Sequence, residues 1–226
     1  MNDSWTNIFS NEERIRNLVH AYLSNYQFVN SETIAQVVKT LTVFIEEGRI
    51  NVAPPFPDIE VQIDRAAIIE KFIEELSRFA KESRLSKTKL TCIEVRSLAG
   101  QRFTQGSITD CQTKIPKSET LVRLAEEKHK ETELIVAARA LSKHQARSSF
   151  WGKAKGGIKE RNQQAINWIY QILEHKTWWN MYGHFRHKYI YEARLVSGHG
   201  ARWASNKFIG FVEPFYGTND QNLSVR

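Results

Sequence analysis

Residues 188–215 read "KYIYEARLVSGHGARWASNKFIGFVEPF". Three runs rich in aromatic and aliphatic residues, "KYIYEARLV", "ARWAS" and "FIGFVEPF", are separated by "SGHG" and "SNK", whose glycine, serine and asparagine suit chain reversal. The stretch predicts a three-stranded antiparallel meander. The segments before it follow a helical period instead, so the fold class is α+β with helices and strands segregated along the chain.

Working back from the meander, residues 158–175 and 119–146 place apolar residues on one stripe each, Ile158, Ala165, Trp168, Ile169, Ile172 and Leu173 in one and Leu134, Ala137, Ala138 and Leu141 in the other. They predict a helical hairpin joined by the glycine-rich "SSFWGKAKGG". "QTKIPKS" (112–118) reads as a connection, and "KLTCIEVRSL" (89–98) with "RFTQGSIT" (102–109) as a β-hairpin. Three N-terminal helices precede it, over 11–25, from an N-cap at Ser31 to a C-cap at Gly48, and over 64–83. The prolines of "NVAPPFPD" (51–58) exclude a helix there. The expected organisation is a helical and β-hairpin domain over 1–112 for folding or interaction, a basic, tryptophan-rich α+β domain over 118–217, and a tail over 218–226.

The chain carries 226 residues and a net charge of +7. Residues 1–100 contribute 12 Lys/Arg against 14 Asp/Glu, so the remainder holds 20 against 11, and the positive charge belongs to the second half. A basic half points to an anionic partner at one end of the molecule. No run of eighteen apolar residues predicts a membrane span, and "MNDSWTNIFSNEERIRNLV" lacks the basic and apolar regions of a signal peptide, so a cytoplasmic protein is expected. Cys92 and Cys111 fit no C-x-x-C motif and are expected as reduced thiols.

The densest charge lies in residues 139–161, where Arg139, Lys143, Arg147, Lys153, Lys155, Lys159 and Arg161 face one acid, Glu160. Arg139, Lys143 and Arg147 share a helical face if the helix persists, and "GKAKGG" leads into a helix whose first amides suit a phosphate. Trp151 and Trp203 are expected as exposed stacking platforms among these cations, the pattern of a single-stranded nucleic-acid surface.

Within "YGHFRHKYIYEARLVSGHGARW" (182–203), His184, His187 and His199 with Arg194 and Arg202 supply the residue types of metal-independent RNA cleavage: a base, an acid and a cation for the transition-state charge. The same histidines with Glu192 form only a weak metal pattern, and no metal or cofactor is expected. Arg202 and Glu213 each interrupt an apolar run, so they either form a buried ion pair or face a ligand. The leading expectation is an RNA- or single-stranded-DNA-binding protein. The alternatives are the small His/Arg nuclease and an adaptor whose basic face meets an acidic protein. The first half is expected to bind a protein partner or self-associate.

Overall fold

The computed structural model describes residues 11–48, 50, 59–82 and 90–214, which form α-helices and one antiparallel sheet, an α+β fold. The readings of 51–58 and of the tail 218–226 lie outside the described residues. Two compact units emerge. One gathers Met1–Asn51, Val61–Arg102 and Ile108–Ile115, and the other Val52–Glu60, Phe103–Ser107 and Pro116–Arg226.

In the first unit, α1 (Glu12–Leu23) buries Ile15, Val19, Tyr22 and Leu23, the face its spacing predicts. Helix α2 (Ser31–Glu47) starts one residue earlier than expected. Its cap is Asn30, which forms a reciprocal capping box with Thr33, and Gly48 closes it at φ 66°. Helix α3 (Arg65–Glu82) buries Ile69, Phe72, Ile73 and Leu76, and Tyr22 meets Phe72 edge-on at 5.4 Å.

The expected hairpin over 89–109 does not form. Its first strand is helix α4 (Cys92–Leu98), because Thr91 and Glu94 make a capping box that satisfies the first-turn amides. Its second segment carries only isolated bridges, Thr104 to Glu60 and Ser107 to Tyr182. Arg96, fully buried, explains the loop that follows: it donates to the carbonyls of Asp110 and Thr113 and to Gln101 Oε1, and lies 5.0 Å from the centre of the Phe28 ring. A guanidinium withdrawn from water needs such acceptors.

The expectation of reduced thiols is also overturned, since Cys92 and Cys111 are joined as a disulfide with Cα atoms 5.5 Å apart. A cross-link spanning 19 residues restricts the unfolded chain by about 3 kcal/mol. Cys92→Ser with Cys111→Ser is expected to lose about that much stability in denaturant titration, and an unchanged midpoint would show that the bond adds nothing.

In the second unit the single helix expected over 119–146 is two, α5 (Ser118–Glu126) and α6 (Val136–Gln145). The chain turns between them, with Val136 N donating to Glu127 O and Ile135 N donating to the Asn162 side chain. A 3₁₀ turn (Ser149–Trp151) and α7 (Ile158–His175) follow. The meander has four strands rather than three, in the order β1 (Trp178–His184), β2 (His187–Arg194), β3 (Gly200–Ala204), β4 (Lys207–Val212).

Register divides this sheet into two chemically distinct faces. On one, Trp179, Ala193, Ala201 and Phe211 are in line, as are Met181, Tyr191, Trp203 and Phe208, and all are buried. The other carries a polar row, Asn180, Glu192, Arg202 and Gly210. Gly200 permits the close strand approach at the end of this face, because a Cβ there would lie 2.0 Å from Ala193 O.

Candidate active site

Strand alternation aims Tyr182, Glu192, Arg194 and Arg202 to the same side, and Glu192 accepts from the other three. Arg202 donates to Glu192 Oε2 from Nε at 2.7 Å and Nη2 at 2.5 Å, the Tyr182 hydroxyl donates to the same oxygen at 3.1 Å, and Arg194 Nε donates to Oε1 at 2.5 Å. The Glu192 and Arg194 side chains are only 5% and 8% exposed, whereas Arg202 remains 37% exposed. Arg194 therefore acts as an internal clamp. Its Nη1 donates to Gly198 O at 2.6 Å and Glu213 O at 2.7 Å, tying the polar row to the turn that bears His199.

At that turn one carboxylate organises two imidazoles. Glu213 Oε1 accepts from His144 Nδ1 at 2.5 Å and from Trp151 Nε1 at 2.8 Å, and Oε2 lies 3.1 Å from His199 Nε2. An ionised carboxylate only accepts hydrogen bonds, so the network assigns the neutral-ring proton to Nδ1 of His144 and to Nε2 of His199. That leaves His144 Nε2 and His199 Nδ1 for proton exchange, the latter 3.2 Å from Ser197 Oγ. Phe150 stacks flat on the His199 ring at 3.5 Å and 3°, and Trp151 closes its edge at 5.4 Å.

These surroundings set the charges. Burial lowers the His199 pKa, Glu213 opposes that and Arg194 reinforces it, and the balance lies below the ordinary histidine value. Burial alone would raise the Glu213 carboxyl, but the hydrogen bonds from His144 and Trp151 outweigh it and keep the group ionised.

Residues 123–213 match the family model of the CdiA C-terminal tRNase toxin domain. That span contains every member of the network, from His144 to Glu213. The toxic C-terminal tip of CdiA from Pseudomonas aeruginosa, solved in complex with an immune protein, is 29% identical and covers 40% of this chain and 98% of its own, with a TM-score of 0.35. No curated protein matches the chain.

Of the histidines singled out in the sequence, only His199 joins the network. His184 and His187 stack on each other at 5.2 Å at the β1–β2 turn, the far end of β2, roughly 20 Å of strand away from Arg194. Arg202 and Glu213 do not pair with each other; each belongs to a different carboxylate cluster.

The exposed platforms expected at Trp151 and Trp203 are overturned, for both are fully buried. Trp203 faces the core with its Nε1 on Leu121 O at 3.0 Å, and Trp151 spends its N–H on Glu213. A buried indole needs such an acceptor, and both have one. Arg147 lies beyond the end of α6 and so does not continue the face begun by Arg139 and Lys143. Lys143, Arg147, Lys153, Lys155 and Lys159 are exposed, while Arg139 and Arg161 are half-buried and Arg161 donates to Ser142 Oγ at 2.7 Å. The basic segment and the His/Arg stretch nevertheless meet, because His144 and Trp151 lie inside the former and bond the carboxylate that holds His199.

Proposed function

We propose that the second unit is an RNA endonuclease that works by activating a ribose 2′-hydroxyl, with tRNA as its substrate class. The observation that carries this reading is Glu213 holding two imidazoles, with Arg194 linking its backbone to the Glu192 carboxylate that orients the part-exposed Arg202. His199, neutral at pH 7, takes the 2′-hydroxyl proton at Nδ1, and the oxygen attacks the adjacent phosphorus. Arg202, oriented by Glu192 through Nε and Nη2, offers Nη1 to the phosphoryl oxygen as charge accumulates. His144, held by Glu213 through Nδ1, serves as the acid and gives a proton from Nε2 to the departing 5′-oxygen. The P–O5′ bond breaks and a 2′,3′-cyclic phosphate remains. The family match over residues 123–213 supports both the reaction class and tRNA as the substrate.

The test is incubation of the whole chain with labelled tRNA, unstructured RNA and DNA, in EDTA and with Mg²⁺, Mn²⁺ or Zn²⁺ added. RNA is expected to be cut in EDTA, tRNA fastest, and DNA or RNA carrying a 2′-deoxy residue at the cut site to survive. Cleavage only with metal, or of DNA, would overturn the reading.

The exposed lysines give the substrate its footing. Replacing Lys153, Lys155 and Lys159 by Ala together is expected to weaken RNA binding and to flatten log K against log salt by about two to three units, through lost counterion release. Binding with an unchanged salt slope would remove this segment from the interface.

A further inference from the structure

The β1 end of the sheet's polar row is met by a short turn from the first half of the sequence. Thr104–Ser107 is closed by Thr104 N donating to Ser107 Oγ at 2.7 Å and Ser107 N donating to Thr104 O at 3.0 Å. Gly106 provides the left-handed conformation the turn requires, at φ 86°. Ser107 Oγ donates to Asn180 Oδ1 at 2.9 Å, and Asn180 Nδ2 donates to Thr104 Oγ1 at 3.0 Å. Ser107 also bridges Tyr182 along the open edge of β1, where Gly183 N donates to Gly106 O at 3.1 Å.

Asn180 stands opposite Glu192 in the register, and Tyr182 is the residue whose hydroxyl reaches Glu192. The turn therefore lies on the site's own face, where Asn180, the residue its side chains bond, is fully buried. It lies outside the span matching the tRNase family model. Its start is anchored by buried Phe103, while its tip, Gln105 and Gly106, is exposed, so it is built as a flap on a fixed hinge.

We propose that Thr104–Ser107 is an autoinhibitory latch: docked on Asn180 and the β1 edge it closes the Asn180 end of the polar row, and RNA reaches that end only when it lifts. This rests on the nuclease reading of the same unit. Gly106→Val tests it, because a Cβ at Gly106 meets nothing within 4 Å, so the substitution acts through the positive φ alone. Thr104→Ala with Ser107→Ala removes the side-chain bonds independently.

In the whole chain, amide exchange at Gly183 is expected to accelerate about tenfold in Gly106→Val, and RNA cleavage to rise with it by about threefold or more. Faster exchange with unchanged or reduced cleavage would overturn the latch and make the turn a wall of the substrate site. Unchanged exchange in both variants would also overturn it, since these contacts would not be what holds the turn. Accelerated exchange with no RNA cleavage by any form, wild type included, would instead overturn the nuclease reading beneath it.

Discussion

His199→Ala is expected to lower RNA cleavage about 100-fold or more while RNA binding stays within a few-fold, because proton transfer by a placed side chain contributes roughly 10² to 10⁴ in rate. The pH profile separates this role from mere packing against Phe150. A general base must be deprotonated, so activity rises with pH through its pKa and is lost as pH falls. Burial, aided by Arg194, depresses the His199 pKa, which places that limb below the usual histidine midpoint of about 6.5. Glu213→Gln removes the charge that opposes this shift and is expected to move the limb further toward acid, with a loss of rate. An unmoved limb in Glu213→Gln, or near-normal cleavage by His199→Ala, would take His199 out of the mechanism.

Trp151→Ala carries the largest expected effect on stability, about 3 to 5 kcal/mol, the range for truncating a buried aromatic side chain. The indole is fully buried, meets Trp168 at 5.1 Å and Phe211 at 4.9 Å, and satisfies one oxygen of Glu213. A fall of at least about 10 °C in Tm is expected for a unit of this size. Trp151→Phe keeps most of the packing but removes the N–H donor, so its Tm should fall less while the Glu213-dependent pH limb still moves. A Tm within about 2 °C of wild type in Trp151→Ala would return the tryptophan to the surface, where its sequence neighbours first suggested it stood.

The helices with long apolar stripes were legible because one face had to be buried whatever lay opposite, as with Val19 and Leu23 in α1 or Ile169 and Ile172 in α7. Helix α4 was misread although its signal was present. "TCIE" is a capping box, and the alternation of "KLTCIEVRSL" outweighed it. Strand β1 was missed because Trp178 and Trp179 come only two residues after a helix, and neither residue reveals the strand that pairs with it. For the site, types were visible and partners were not. His199 stood out, yet what makes it usable is Glu213, and the bond from Glu213 to His144 spans 69 positions that no local spacing rule connects. Burial of Trp151 was equally unreadable, since a tryptophan among lysines can be drawn inside only by an acceptor that the fold supplies from elsewhere.

The order of the parts along the chain matters while the protein is being made. His144 emerges first, then Glu192 and Arg194 on β2, His199 and Arg202 around β3, and Glu213 last, one residue past β4. A nascent chain lacking the final strand has neither the carboxylate that aligns the two imidazoles nor the register partner that seats β3. On the nuclease reading proposed above, the site therefore assembles only after β4 and Glu213 have been synthesised and paired.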